Sequence, residues 1–288
     1  MSASSNSHPQ LKVSHGRLFP ERGRPWIMGI LNCTPDSFFD GGRYADPEPA
    51  VARAEQMIAE GADFIDVGGE STRPGSEPVH PLEQIRRTIP VIRSIRERWD
   101  GPISIDTTRA EVATQALEAG ANWINDISGW RDDPDLAPLA ARTGAGMILM
   151  HMLGTPRDMQ AAPQYSDVVT EVAAFLKERV KECRRAGVAA DRIVIDPGIG
   201  FGKNLEHNLA LLHHTRRFVE LGYPLLIGAS RKSFIGRLLG DDRADRLEGS
   251  LVVAAWAALQ GASIIRVHDV GPTRRALTMW SALMTTPE

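Results

Sequence analysis

Amphipathic stretches alternate with short apolar runs along this chain, and a glycine separates the two at six places. An apolar run follows each glycine within a few residues and stops at a polar cluster; the glycines are Gly61, Gly120, Gly144, Gly187, Gly222 and Gly261. Glycine suits the left-handed position that closes a helix, and a short β-branched run between turn residues is typical of a strand buried on both faces. The pattern predicts a repeating unit of helix, turn and strand with a polar tip.

Two more apolar runs end in polar residues, PWIMGILN at 25–32 and PISID at 102–106, and bring the number of predicted strands to eight. Eight strands alternating with helices favour an α/β fold of the (β/α)8 TIM barrel type, with active-site groups at the carboxyl ends of the strands. A doubly wound open sheet uses the same units and is the alternative architecture. The barrel is favoured because eight units in 288 residues fit a single barrel and no change of composition marks a second domain.

The predicted barrel domain covers residues 25–288 and follows an N-terminal extension at 1–24. The extension begins with a Ser/Asn-rich stretch that we expect to be partly disordered. Its LKVSHGRLF segment predicts a short strand pair that plugs the bottom of the barrel.

Apolar residues at helical spacing predict which helix faces are buried. One helix, which contains Pro90, has this spacing at Leu82, Ile85, Ile89 and Ile92. A later helix has it at Leu251, Val252, Ala255, Trp256 and Leu259. We expect both sets to face the core, and we expect Ser166 to open the long helix that lies between them in sequence.

Composition and charge narrow the class of protein. A formal net charge of −3 without a basic block argues against nucleic acid as the main partner. The sequence has no apolar run of about 18 residues or more, and residues 1–24 contain no apolar signal core, so we expect a soluble protein that is not exported and has no membrane partner. The two cysteines, Cys33 and Cys183, cannot form a disulfide framework, which makes the cytoplasm the simpler location.

Polar residues of both charge signs follow the predicted strands, and they include Asn32, Glu70, Asp106, Asn125, His151, Asp196, Arg231, Lys232, Arg266 and His268. Any one of them could be a helix cap, and Thr107 or Thr108, Asp133 and Asn204 are better explained in that way. Capping gives no reason, however, for carboxylates, an amide and a lysine to converge on one barrel mouth. The convergence predicts a binding site.

The mixture of charges suggests a ligand with two ends. Carboxylates and an amide suit the edge of a heterocycle that carries N–H donors, because a carboxylate accepts two parallel hydrogen bonds. The cationic candidates suit phosphate or diphosphate, and they are Arg73, Arg231, Lys232, Arg266 and His268. No P-loop, HExxH, CxxC or GxSxG motif supports nucleoside triphosphate hydrolysis, zinc chemistry or a nucleophilic serine.

Eight strings together resemble the dihydropteroate synthase family of folate biosynthesis: MGILNCTPDSFFDGG at 28–42, DVGGESTRPGS at 66–76, SIDTTRAEVA, INDISG, MHMLGTP, DPGIGFGK, GASRKSFIG and RVHDV. Each string alone is weak, but eight in order are highly specific. The resemblance implies a (β/α)8 barrel that joins 4-aminobenzoate to dihydropterin-6-ylmethyl diphosphate and releases diphosphate with the help of Mg2+. It also implies a homodimer formed through the late helices.

The resemblance assigns roles to the motif residues of this chain. The pterin end is expected to comprise Asp106, Asn125, Met150, Asp196, Phe201, Gly228, Lys232 and Arg266. The diphosphate end is expected to comprise Arg266 and His268, with Asn32 at the Mg2+ ion. The aminobenzoate end is expected to comprise Thr72, Arg73, Pro74 and Ser233, while Asp36 and Phe38 belong to a first loop that closes over the reacting groups. The expected catalytic residues are Asp36, Arg73, Asp106 and Lys232.

Two alternatives are kept: a non-catalytic pterin-binding paralogue and a pterin-dependent methyltransferase on the same type of barrel. A paralogue would be expected to lose the TRP string or Asp36 first, and a methyltransferase needs neither a diphosphate grip nor the SRK string. The TRP string, Asp36, the candidate diphosphate-binding residues and the SRK string are all present in this sequence. Three residues, Cys33, Phe39 and Trp130, depart from those common in the family and flank the site without removing a named role.

Overall fold

The computed structural model describes residues 13–14, 17–18, 23–34, 47–240 and 245–285. In the N-terminal extension, β1 (Val13–Ser14) pairs antiparallel with β2 (Arg17–Leu18), so the predicted strand pair is present. Its position below the barrel stays a prediction, as does the domain boundary after residue 24.

Eight parallel strands form one sheet. They are β3 (Trp26–Asn32), β4 (Phe64–Gly68), β5 (Ile103–Asp106), β6 (Trp123–Asp126), β7 (Gly146–Met150), β8 (Ile193–Asp196), β9 (Leu226–Ile227) and β10 (Ile264–Val267). Their order is β8-β7-β6-β5-β4-β3-β10-β9, and a parallel bridge between Ile195 and Leu225 brings the two edge strands together. The predicted α/β barrel is confirmed, because an open doubly wound sheet would leave those edges apart.

Helices connect the strands and cover the outside of the barrel. They are α1 (Glu48–Ala59), α2 (Pro81–Arg98), α3 (Ala110–Glu118), α4 (Leu136–Thr143), α5 (Val168–Arg185), α6 (Leu205–His213), α7 (Thr215–Val219), α8 (Ser233–Leu239), α9 (Leu247–Leu259) and α10 (Val270–Met284). None of the described helices is long and apolar enough to cross a membrane.

Alternation of side chains along each strand creates two apolar layers. Outward-facing strand residues such as Ile65, Val67 and Ile105 join the large core beneath the helices. Inward-facing residues form a separate buried cluster inside the barrel: Met28, Phe64, Trp123, Ile148, Val194, Leu226 and Ile264. Most of them stand near the amino ends of their strands, so this cluster closes the lower part of the barrel and a ligand can enter only from the carboxyl ends.

The predicted core face of α9 is wrong. Ala254, Ala257 and Ala258 are buried there, whereas Val252 is 68% exposed and Trp256 is 38% exposed. The helix is apolar on nearly every side, so its periodicity does not specify a face. Small alanine side chains let the helix approach the strands closely, and the larger apolar residues are left outside.

Two further local predictions need correction. Leu82 in the first turn of α2 is 61% exposed, although Ile89 and Ile92 are buried as predicted. The cap of α5 is Asp167 and not Ser166, because the Asp167 carboxylate accepts hydrogen bonds from the backbone N–H groups of the next turn.

A buried ion pair at the bottom of the barrel generates a prediction about stability. Arg24 donates from both Nη atoms to Asp63 at 2.6 and 3.0 Å, and Asp63 also accepts from the Ile27 backbone N–H at 2.9 Å. We expect Asp63→Ala to lower the free energy of unfolding by about 3 kcal/mol, because it leaves the buried Arg24 charge unpaired. Urea denaturation measures this loss. Unchanged stability, or a loss of ligand affinity in the folded variant, would contradict this view of the barrel bottom.

Candidate active site

A row of polar and small residues crosses the carboxyl ends of four adjacent strands. The strand register pairs Asn32 with Gly68, Gly68 with Asp106, and Asp106 with Asn125. Gly68 leaves room between its neighbours, since a Cβ atom there would lie 3.8 Å from Asn32 Oδ1 and 3.5 Å from Asp106 Cβ. An amide, a carboxylate and a second amide therefore share one level of the barrel mouth.

Arg266 bridges two buried carboxylates just inside this row. Its Nε donates to Asp66 Oδ2 at 2.6 Å, and its Nη2 donates to Asp106 Oδ2 at 2.8 Å. Burial and the neighbouring Asp66 charge raise the pKa of Asp106, while the Arg266 guanidinium opposes that rise. Arg266 thereby makes two adjacent carboxylates tolerable in the barrel interior.

Asp66 also orients Asn125. The carboxylate accepts from Asn125 Nδ2 at 3.1 Å and from Ser104 Oγ at 2.5 Å. Because the amide nitrogen of Asn125 is used in this way, its Oδ1 is the atom that can accept a hydrogen bond from a ligand. The upper barrel thus presents oxygen acceptors to the mouth.

Asp196 ends β8 and is held by the turn that follows. Its Oδ1 accepts from the Gly198 backbone N–H at 2.7 Å. Gly198 has φ +69°, and a Cβ atom there would lie 1.9 Å from the His151 carbonyl oxygen, so no other residue fits. Burial raises the pKa of Asp196, whereas the Lys232 charge is the largest influence that lowers it.

Lys232 lies on the other side of the same turn. Its Nζ is 4.3 Å from the centroid of the Phe201 ring, and it donates to the Ile199 carbonyl. Burial lowers the pKa of Lys232 to about 7, although the Asp196 carboxylate acts in the opposite direction. A lysine in this state can donate to a ligand and can also change its charge near neutral pH.

An apolar wall stands beside these polar groups. It is a cluster of buried side chains consisting of Ile127, Met150, Met152, Met159 and Phe201. Met150 and Phe201 were expected from the sequence, whereas the others carry no signal beyond ordinary core patterning. A flat ligand could pack against this wall while its edge meets the carboxylates.

Two arginines and a histidine that is neutral near pH 7 lie at or near the ends of β9 and β10: Arg231, Arg266 and His268. His268 Nδ1 is 3.1 Å from Ser230 Oγ, and burial lowers the pKa of His268 to about 4, with Arg266 as the next cause. The Arg73 charge lowers the same pKa. Arg231 pairs with Asp269 at 2.5 and 2.8 Å, so its guanidinium is already engaged. Gly228 packs beside Arg266, with a Cβ position 3.7 Å from Arg266 Cβ.

The remaining predicted site residues are at the rim. Arg73, Pro74 and Ser233 are exposed and Thr72 is half-buried. The loop with TRP contacts the loop after β7, where Gly75 N–H donates to the Pro156 carbonyl at 2.9 Å. Asp36 and Phe38, together with the Phe39 departure, lie outside the described residues.

Of the three predicted caps, only Asn204 is the N-cap of its helix, because α3 begins after Arg109 and α4 begins after Asp135. Asn204 accepts from the His207 backbone N–H at 2.8 Å and forms a capping box at the start of α6. Asp133 accepts from the Ala110 N–H at 2.8 Å, and Thr107 Oγ1 accepts from the Arg109 N–H at 3.2 Å. These three side chains are therefore explained without a ligand.

The structure describes Cys33 and Trp130, two of the three residues that differ from those common in the family. Cys33 is fully buried and burial raises its pKa to about 12, so its thiol is inert packing. Trp130 adopts φ +64°, and its indole Nε1 donates to the Pro134 carbonyl at 3.1 Å. Its backbone N–H donates to Asp126, a buried carboxylate that organises this loop.

Sequence reasoning missed Asp66 and Lys203, and it named His151 only as a polar residue after a strand, without its contact to Lys203. Asp66 stands two residues before Gly68 in the run FIDVG, so strand alternation places both on the inner face. Strand alternation therefore indicated Asp66, but only residues at the strand ends were named as site candidates. Lys203 is 2% exposed, which its place in a glycine-rich loop did not suggest.

Asn32 could be a ligand of Mg2+. This ion prefers oxygen ligands, keeps several waters and commonly binds through one or two protein oxygens together with substrate phosphates. The Asn32 amide oxygen lies in the row at the barrel mouth and is of the required type. The donor set fits an ion shared with a bound diphosphate.

Comparisons with known proteins identify the family. The profile described as "Pterin binding enzyme" matches residues 28–268. Dihydropteroate synthase of Escherichia coli (strain K12) is 47% identical over 264 residues, covering 92% of this chain and 93% of the relative. The Xanthomonas albilineans dihydropteroate synthase structure with 4-aminobenzoic acid has a TM-score of 0.85 at 46% identity, covering 92% of this chain and 94% of that one. A second structure of that enzyme, in complex with 7,8-dihydropteroate, has a TM-score of 0.81 at 43% identity, covering 92% and 95%. The chain therefore belongs to the pterin-binding enzymes and, within them, to the dihydropteroate synthase family.

Proposed function

We propose that the protein is a transferase that condenses (7,8-dihydropterin-6-yl)methyl diphosphate with 4-aminobenzoate to give 7,8-dihydropteroate and diphosphate. The observation that carries this proposal is the group of buried oxygen acceptors beside Lys232 and Arg266 at one barrel mouth. Relatives that hold 4-aminobenzoic acid and 7,8-dihydropteroate share this fold over more than nine-tenths of the chain.

The pterin end of the substrate matches the acceptors. An aminopyrimidinone edge carries adjacent N–H donors, and Asp106, Asn125 and Asp196 offer oxygens to such an edge. Lys232 supplies the opposite polarity for the ring carbonyl and N5. The pterin ring would lie between the apolar wall and the guanidinium of Arg266, which stacks on aromatic planes.

The diphosphate would lie toward Asn32, His268 and Arg266. Mg2+ bound there would neutralise part of the charge on the leaving diphosphate. Arg266 and the Asn32 amide would orient this group, and His268 would contact it from a ring that Ser230 holds through Nδ1. Aminobenzoate would enter from the rim at Thr72, Arg73, Pro74 and Ser233, and Asp36 would close over it from the first loop.

We infer a dissociative displacement. The bond between the methylene carbon and the bridging oxygen breaks first, the electron pair leaves with diphosphate, and the pterin ring delocalises the positive charge. Asp106 and Asp196 stabilise that cation, the amine of aminobenzoate then attacks the carbon, and the proton that the amine loses passes to the released diphosphate. Lys232 is engaged as a donor beside Phe201 and is not needed as a nucleophile.

Turnover tests the function directly. The protein with Mg2+, pterin diphosphate and 4-aminobenzoate should form dihydropteroate and diphosphate, followed by chromatography. Asp196→Ala should weaken pterin binding by about 3 kcal/mol, because it leaves donors of the ligand unpaired in a buried site. Calorimetry measures this loss and circular dichroism controls for folding. Pterin binding without turnover would favour a non-catalytic paralogue, and methyl transfer from a methylated pterin would favour the methyltransferase.

Pterin affinity should depend on pH in both directions. Above the Lys232 pKa of about 7 the side chain loses its proton and donates more weakly, so affinity should fall as pH rises. The pKa of Asp196 is raised, so affinity should also fall as pH decreases and the carboxylate becomes protonated. Calorimetric titrations across the neutral range test this. Lys232→Arg should abolish the alkaline decline, and a decline that persists in this variant would exclude Lys232 as its cause.

The order of bond breaking can be tested with oxygen-18 in the bridging position of the substrate. Enzyme and Mg2+ without aminobenzoate should scramble the label into non-bridging positions, because the bound diphosphate can turn and recombine. Asp106→Ala, Lys232→Ala and Asn32→Ala should each reduce the exchange. Mass spectrometry of recovered substrate measures it. An unscrambled label in an enzyme that turns over normally would indicate a concerted displacement.

A homodimer and a cytoplasmic location belong to the same proposal. Both cysteines are free and buried, which suits a reducing compartment. The face formed by α9 and α10 exposes large apolar side chains, including Val252, Trp256, Met279 and Leu283. Exposed apolar area of this kind marks an interaction surface, and a second copy of the chain offers the same surface in return.

We expect Val252→Glu with Met279→Glu to convert the dimer to a monomer, since both charges would be buried in the interface. Sedimentation velocity measures the change. Leu82→Glu is the matched control, because Leu82 is 61% exposed on α2. A dimer that survives the first pair of substitutions, or dissociates only with the control, would move the interface elsewhere.

A further inference from the structure

Lys203 is a fully buried lysine that the proposed reaction does not use. Its side chain is among the largest that are completely enclosed, with 2% of the residue exposed. Nζ lies 2.8 Å from the Phe201 carbonyl oxygen, 3.3 Å from the His151 carbonyl oxygen and 3.0 Å from His151 Nδ1. Burial lowers the pKa of Lys203 well below its usual value, although the Asp196 carboxylate acts in the opposite direction, so the enclosed amine needs a partner for each of its polar hydrogens.

Three polar partners surround the Lys203 amine. The two carbonyl oxygens can only accept, so the amine donates to both of them. The third partner is His151 Nδ1, and burial lowers the pKa of His151 to about 2, so its imidazole ring is neutral. The His151 ring is held in turn by an edge-to-face contact with Phe175 at 4.8 Å.

These contacts connect two strand ends that carry the proposed pterin pocket. His151 directly follows Met150 at the end of β7, and its backbone N–H donates to the Asp196 carbonyl oxygen at 3.0 Å. Phe201 belongs to the turn after β8, in which Gly198 packs against the His151 carbonyl. Lys203 therefore ties the backbone of Phe201 to the residue that fixes Asp196 and Met150.

We propose that Lys203 is a positioning residue for the pterin pocket, holding the turn at 197–203 against β7 so that Asp196 and Phe201 meet the ligand together. The inference rests on the proposed pterin site. The charges that face Lys203 are Asp196 as the opposing carboxylate and Lys232 and Arg131 as further cations. Lys203 thus acts through Asp196 and Phe201, and it does not touch the substrate.

Lys203→Met is the direct test, because it keeps the apolar stem and removes the three donors. We expect the Kd for a pterin without diphosphate to rise by at least about ten-fold, the loss typical of one misplaced charged hydrogen bond. The Kd for inorganic diphosphate with Mg2+ should stay unchanged, since Asn32 and His268 are on other strands. Calorimetry of the full-length protein measures both ligands. Lys177→Met, on the exposed face of α5, is the matched control and should change neither.

The pH profile separates positioning from a general loss of stability. Removing the Lys203 charge should raise the pKa of Asp196, so the acidic decline in pterin affinity should move to higher pH in Lys203→Met. Lys232 also faces Lys203 and loses a neighbouring cation in this variant, so the alkaline decline should move to higher pH as well. A lysine that contributed only to overall stability, without facing Asp196 and Lys232, would leave both declines unmoved.

Each outcome bears on the proposal. A folded Lys203→Met protein with wild-type pterin affinity, or with equal losses for pterin and diphosphate, would overturn it. If that variant does not fold, His151→Leu decides: loss of pterin affinity alone supports the proposal and unchanged affinity contradicts it. His151→Asn, which restores an acceptor near Nδ1, should recover part of the affinity. Failure of the wild-type protein to bind pterin would instead refute the proposed function.

Discussion

The bridge from Arg266 to Asp66 and Asp106 is the interaction on which the site depends. Two carboxylates buried side by side repel each other and lose hydration, and a cation between them is the ordinary way to keep both. Arg266 provides it with bonds of 2.6 and 2.8 Å, and Asp66 then holds Asn125 in the orientation that exposes its oxygen. The same guanidinium lies at the barrel mouth, so the group that stabilises the two carboxylates can also contact a ligand.

The barrel divides stability and binding between its two ends. Apolar side chains fill the lower interior, and the Arg24–Asp63 pair ties the chain below them. In the upper interior, charged side chains replace the apolar packing. Their pKa values are shifted: that of Asp106 is raised and that of Lys232 is lowered. Buried groups with shifted pKa values lower the stability of the fold. They suit a site that binds hydrogen-bond donors and an anion of one ligand.

The sequence was sufficient for the strands and for the polar residues at their ends. Each strand is an apolar run bounded by turn residues, so eight strands and their polar tips could be predicted, and Asn204 was correctly explained as a cap. The buried face of α9 could not be predicted, because a helix that is apolar all round gives no periodic signal. Asp66 was readable from strand alternation, whereas the burial of Lys203 depends on acceptors from His151 and Phe201 that only the folded chain brings together.

In the proposed site, buried oxygen acceptors of the protein bind the N–H donors on the pterin edge. The most direct test compares the affinity for a pterin with that for the corresponding lumazine, in which a carbonyl oxygen replaces the 2-amino group. Calorimetry on the wild-type protein should show the pterin bound at least about 100-fold more tightly, because the lumazine oxygen would face carboxylate oxygens without a proton between them. Equal affinity for the two compounds would mean that Asp106, Asn125 and Asp196 do not read this edge, and would contradict the assignment of the barrel mouth as a pterin site.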